Sequence, residues 1–205
     1  MNLPKKDKFG GGYLSYSQIN MFKRDKQEYK EVYIDGRPFE GNAYTDFGSK
    51  VGESIENNDF SLFMNREKET LKKVRRLDEF ERKTILKYDD FYIIGFIDSN
   101  TSDYSEIIDY KTGGKKKEFQ YSKSEYTQLC LYALSLRQET GITPSKAYVN
   151  FIRREGNAFR GEALTVSTEE PKLIEVDISI ERLTNVYWDT LKTAKEISQF
   201  YSDLM

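Results

Sequence analysis

Between Tyr92 and Lys111 the chain reads YIIGFIDSNTSDYSEIIDYK. Two apolar runs flank the turn-rich segment from Ser99 to Ser105, which is the pattern of a β-hairpin. Asp98 closes the first run, and Asp109 with Lys111 closes the second. Alternate residues of a strand share a face, so Asp109 and Lys111 project together. If the hairpin closes symmetrically, Asp98 and Asp109 are cross-strand neighbours, which is unfavourable for two like charges. A divalent cation between them reverses that sign. Hard cations such as magnesium take oxygen ligands and keep waters or substrate phosphates in their remaining positions. A lysine beside such a cluster points to phosphodiester cleavage. The plainer reading is a hairpin whose aspartates mark turns and whose Lys111 is solvated. Against it, Asp98 follows an apolar strand and Asp109 lies inside one, an expensive place for an unpaired charge.

The residues that are missing narrow the chemistry further. The chain has no histidine and one cysteine, Cys130. That excludes Ser-His-Asp and Cys-His hydrolysis, the usual histidine-containing zinc sites, an internal disulfide framework and a four-cysteine cluster. Cys130, in QLCLYAL, reads as a small buried hydrophobe. Carboxylates, lysine, tyrosine or a metal-bound water must carry any reaction. A length of 205 residues suits one domain spanning 1–205. No apolar run reaches the roughly 20 residues of a membrane helix. The opening MNLPKKDKFGGGYLSYS has a basic start without a following apolar stretch, so a cytoplasmic protein is expected, and the compact, Lys-, Tyr- and Ile-rich composition suggests a bacterial cell or a phage-infected host. The net charge of -2 decides little about nucleic acid, because local patches matter more than totals. Such patches occur at Lys23, Arg24 and Lys26, at Lys72, Lys73, Arg75 and Arg76, and at Lys115, Lys116 and Lys117. The last follows two glycines just beyond the candidate site and is a candidate phosphate contact.

Along the chain, Ser15 or Ser17 can cap a helix running to Asp35-Gly36. A second helix follows Gly48, with Val51 and Ile55 on its core face. The charged segment Arg66 to Arg82 can continue as helix. Thr84 to Tyr88, Phe91 to Ile97 and Glu106 to Lys111 form a three-stranded meander, and Thr112 to Lys123 is a polar connection. SEYTQLCLYALSLRQETG is helical and stops at Gly141. Ala147 to Arg153, Phe159 to Val166 and Glu175 to Ile178 read as strands, and a helix from about Ile180 closes the chain. The fold class is α/β or α+β, with a mixed central sheet flanked by helices.

The ordered motifs resemble the PD-(D/E)XK nuclease superfamily, and within it the RecB-like exonuclease group. Gly95-Phe96-Ile97-Asp98 is similar to the group's G-x-x-D, Ile108-Asp109-Tyr110-Lys111-Thr112 to its D-Y-K-T, and Gln128 with Tyr132 to its Q-x-x-x-Y helix. LSYSQINMFKR looks like its N-terminal helix. The resemblance implies that Asp98, Asp109 and the main-chain carbonyl of Tyr110 bind metal. It implies that Lys111 orients the attacking water or stabilises developing charge, and that Gln128 and Tyr132 line the site and contact DNA.

Two departures follow. RecB-like members usually carry a metal-binding histidine four residues after a helical glycine, whereas Gly48 is followed at that offset by Gly52. Glu53 or Glu56 can supply the missing ligand, and an all-oxygen site favours magnesium or manganese. The cysteines of iron-sulfur members are also missing, so no cluster is expected. The expected activity is metal-dependent hydrolysis of DNA, as an exonuclease of recombination, repair or phage DNA processing, with a helicase or recombination protein as a candidate partner. A non-catalytic binding module of the same fold and a restriction-type endonuclease are the alternatives. Exposed tyrosines can stack on unpaired bases, and Tyr121 and Tyr126, beside the lysine run, are the candidates.

Overall fold

The computed structural model describes residues 1–123 and 126–205. Ser124 and Glu125, expected at the start of the long helix, lie outside the described residues. Among the described residues seven strands form the central sheet. β2 (Glu79–Lys87), β3 (Phe91–Asn100) and β4 (Glu106–Gly113) are the meander. β5 (Lys146–Glu155) runs parallel to β4 over its whole length, from Glu106 opposite Lys146 to Gly113 opposite Arg153. β1 (Gly12–Ser15), a strand the sequence reading overlooked, lies parallel to the start of β3. β6 (Thr165–Val166) and β7 (Lys172–Glu175) pair with the far edge of β5.

Helices cover both faces. α1 (Tyr16–Arg24), α6 (Gln128–Thr140) and α7 (Ile180–Asp203) bury Ile19, Phe22, Leu129, Leu136, Leu183 and Ile197 against Ile93, Ile97, Ile107, Val149 and Phe151 of the sheet. α3 (Ala43–Asn57) and α4 (Asn65–Leu71) place Phe47, Val51, Ile55 and Leu71 against Ile152 and Val166. β5 is sandwiched between the two layers, which is why its AYVNFI run lacks polar-apolar alternation.

Several expected elements differ in ways local chemistry explains. The first helix breaks at Asp25, whose carboxylate accepts from the N–H groups of Gln27 and Glu28 and starts α2 (Lys26–Tyr29), followed by a π-helical turn over Lys30–Ile34. α3 begins before Gly48, at a reciprocal cap made by Asn42 and Thr45. Arg66 to Arg82 is not one helix. α4 ends at Leu71, and β2 has begun by Glu79 because Phe80 finds a stacking partner in Tyr110, with ring centroids 6.4 Å apart. The connection after β4 contains α5 (Lys115–Lys123). Phe159 is not in a strand but in a 3-10 turn over Ala158–Arg160, and is 88% exposed. The last short strand sits earlier than expected, at Lys172–Glu175. Gly141, at φ +78, stops α6 in the left-handed conformation that glycine adopts without steric cost.

Candidate active site

The site lies where β3 and β4 part. Ile93 and Ile94 pair with β1 on one edge of β3 and with β2 on the other, whereas Ser99 and Asn100 pair with β4 and β2. One edge of β3 therefore serves β1 at its start and β4 at its end, leaving a fork between them. The register Ser99–Ile108 would bring Asp98 opposite Asp109, but the ladder stops at that pair. Asp98 Oδ2 instead accepts the Tyr110 N–H at 2.7 Å, satisfying a main-chain donor that the departing strand would otherwise leave unpaired.

Asp109 is fully buried, and its two oxygens are 2.9 Å and 2.7 Å from Lys111 Nζ. Burial disfavours the charged ammonium, but Asp109 and Asp98 more than offset this and hold the lysine pKa above its ordinary value. The Tyr126 hydroxyl, with one proton to give, stands 3.1 Å from Asp109 Oδ2 and 2.5 Å from Gln128 Oε1. Gln128 Nε2 in turn donates to the Tyr132 hydroxyl at 2.7 Å. Tyr132, expected to line the site and contact DNA, is buried and anchors Gln128. Tyr126, 8% exposed, is likewise no stacking platform. Tyr121 is half-buried edge-on to Tyr126.

Gly95 makes this arrangement possible. A Cβ there would meet Tyr132 Cε1 at 2.5 Å, and that ring is packed in the core. We expect Gly95→Ala to cost about 1–3 kcal/mol through overpacking. The shift of Tyr132 should also lower catalytic turnover. Thermal unfolding of Gly95→Ala, Tyr132→Leu and the double variant tests the contact. Strictly additive losses would show that the two residues do not collide.

On the α3 side, a cavity of about 480 Å³ is lined by Gly48, Ser49, Gly52, Glu53, Glu56, Phe80, Glu81, Asp98 and Tyr110. Four of its described lining residues are carboxylates and none is basic. Gly52 leaves open space, with no atom within 4 Å of where its Cβ would be, and Glu53 and Glu56 after it line the same cavity. Glu81 was missed from sequence, because the run around it reads as a charged helix. It lies in β2 at φ +49, where the pairing skips from Phe80–Ser99 to Arg82–Ile97 across from Asp98. Burial and then the charge of Glu56 raise its pKa. Burial and then Asp109 push Asp98 up to about 7, with Lys111 and the Tyr110 N–H opposing. Carboxylates that disfavour one another's charge around an all-oxygen cavity fit a hard divalent cation. Among the described residues, no three carboxylates, cysteines or histidines converge tightly enough to enclose an ion alone. Waters or substrate oxygens would complete its shell.

A raised folded-state pKa means that Asp98 binds its proton more tightly in the native protein than in the unfolded chain. Its contribution to stability is then full below the ordinary carboxylate value near 3.8 and is lost as pH rises to about 7. In EDTA, the melting temperature of the native protein minus that of Asp98→Asn should fall across this window. A difference that stays flat with pH would refute the assignment.

On the other side of the Asp109–Lys111 pair, a cavity of about 1130 Å³ opens between α1, α5 and the start of α6, with Lys111 and Gln128 in its lining. Lys117 joins that lining, while Lys115 and Lys116 are exposed on α5 outside it.

A mixed sheet with helices on both faces and an Asp-Tyr-Lys strand at its fork is the architecture of the restriction-endonuclease-like nucleases. A family model described as the PD-(D/E)XK nuclease superfamily matches residues 41–199, and the chain belongs to that superfamily. Its members generally use divalent metals. Among the solved structures that share the fold are two with exonuclease names. One is a candidate exonuclease from Eubacterium rectale, 12% identical, with a TM-score of 0.61 over 94% of this chain and 82% of that one. The other is a phage-related exonuclease from Haemophilus somnus 129PT, also 12% identical, with a TM-score of 0.51 over 100% of this chain and 93% of that one. No curated protein sequence matches the chain. Among the described residues, no helix is long and apolar enough to cross a membrane.

Proposed function

We propose that the protein is a metal-dependent deoxyribonuclease of the RecB-like kind, acting as an exonuclease. The observation that carries this reading is the ion pair between fully buried Asp109 and half-buried Lys111, next to Asp98 and a cavity walled by carboxylates. Asp98 and Asp109, with Glu56 or Glu53 and the Tyr110 carbonyl, would hold magnesium or manganese. The cation would supply Lewis acidity at the scissile phosphate and a nucleophile at neutral pH. Lys111 holds a fixed positive charge where the transition state becomes more negative. Tyr126 and Gln128 fix the Asp109 carboxylate, and Tyr132 fixes Gln128. The exonuclease names of the two structural neighbours support end-directed cleavage.

The test is digestion of end-labelled single-stranded and duplex DNA, alongside closed circular DNA, with magnesium, manganese or EDTA. Metal-dependent loss of linear DNA with circular DNA spared is the expected result. Defined bands from circular DNA would point to an endonuclease. No cleavage by folded protein under any metal would overturn the proposal.

A further inference from the structure

The wall of the acidic cavity contains one carboxylate that the sequence motifs do not place there. β2 and β3 keep a single register on either side of it, Phe80 with Ser99 and Arg82 with Ile97, so Glu81 stands directly opposite Asp98. Residues facing each other across an antiparallel pair have Cβ atoms only about 4.5–5.5 Å apart, and like charges in that arrangement are unfavourable. Both carboxylates line the same cavity. The backbone adds a second cost. Glu81 has φ +49, a left-handed conformation that carries steric strain for a residue with a long side chain, and the Glu81–Asp98 pair drops out of the ladder. Among the described residues no hydrogen bond or ion pair holds the Glu81 carboxylate. Arg82, next in the strand, lies 3.8 Å from Glu79 and 3.6 Å from Glu139, while Arg76 donates to the main-chain carbonyls of Ile55 and Glu56. Glu81 is among the charges that disfavour ionisation of Asp98, and Glu56 is the charge that does so for Glu81, which orders the three along one wall.

We propose that Glu81 joins Asp98 and Asp109 as a side-chain ligand of the cation, so that β2, and not α3 alone, replaces the histidine missing at Gly52. The inference rests on the metal-dependent nuclease reading and adds to it a ligand from a strand on which the resemblance places none. Local strain of this kind persists where the surrounding structure or a function offsets it, and no contact of the carboxylate within the protein does so here. A cation between Glu81 and Asp98 turns their repulsion into attraction to a common centre, and oxygen donors from facing strands suit a hard ion. One substitution then has two opposite effects. Glu81→Gly relieves the backbone, because glycine adopts positive φ freely, and at the same time removes the ligand.

Metal binding measured without DNA tests this independently of cleavage. Calorimetric titration of magnesium chloride and of manganese chloride into the native protein, Glu81→Gly and Glu81→Gln gives the affinities, and melting temperatures in EDTA show that each variant folds. In EDTA, Glu81→Gly should melt at or above the native temperature, and Glu81→Gln, which keeps the strain, should melt below Glu81→Gly. Both variants should bind either metal about tenfold or more weakly, at least the loss that follows removal of a group supporting a metal ligand. Native metal affinity in either folded variant would show that the carboxylate does not serve the cation. A Glu81→Gly protein less stable than the native one in EDTA would show that it serves the fold instead. Either result overturns the inference and leaves the nuclease reading standing. If the native protein itself binds neither metal, the metal-dependent reading falls, and the role of Glu81 falls with it.

Discussion

Asp109→Ala is expected to remove metal-dependent DNA cleavage, by on the order of 1,000-fold or more, because the residue ties together Lys111, Tyr126 and Asp98. It is fully buried, paired with Lys111 and within hydrogen-bond distance of the Tyr126 hydroxyl, and its charge is the second-largest influence raising the Asp98 pKa. Its loss leaves Lys111 without its nearest anion and Tyr126 without one of its two acceptors. Asp109→Asn keeps the shape while removing the charge, so it separates loss of chemistry from loss of folding. Both variants should also lose magnesium-dependent thermal stabilisation, since a ligand that binds only the folded protein must raise its stability. Cleavage near the native rate by either folded variant would place the chemistry elsewhere.

Lys111→Ala should fold and bind DNA but cleave about 100-fold to 1,000-fold more slowly, the usual cost of removing one preorganised positive or hydrogen-bonding group from a transition state. The structure adds a second signature. Lys111 is the cation on Asp109 here, so its removal leaves a buried carboxylate supported by the Tyr126 hydroxyl. The metal-free variant should therefore be less stable than the native protein, and magnesium should raise its melting temperature by more than it raises the native one. Measuring turnover and melting temperature with magnesium and with EDTA checks both effects. Normal turnover would remove Lys111 from the chemistry, and an equal magnesium shift in the two proteins would show that the lysine and the cation do not serve the same carboxylate.

The central motif was legible because strand periodicity is local: residues two apart share a face whatever surrounds them, so Asp109 and Lys111 could be paired from spacing. The long helices were legible for the same reason, through repeated apolar faces and a stop at Gly141. The short strand β1 and helix α5 were not. Four residues beginning with Gly12 form a strand only because β3 offers an edge, and the lysine-rich start of α5 gives little periodic signal. Tyr132 was assigned to DNA on resemblance, but packing against Gly95 buries it.

Residue types and their order determined that any reaction here must rely on carboxylates, lysine, tyrosine or a metal-bound water, and that the fold is a mixed sheet between helices. The tertiary structure decided how those groups are distributed. It parted β3 from β4 so that Asp98 took the Tyr110 N–H. It also set Glu81 beside Asp98 and separated an acidic cavity from an aromatic and basic one. Periodicity is carried by neighbouring residues, whereas the edge a strand offers, the burial a charge experiences and the wall a ring joins depend on segments far apart in the chain.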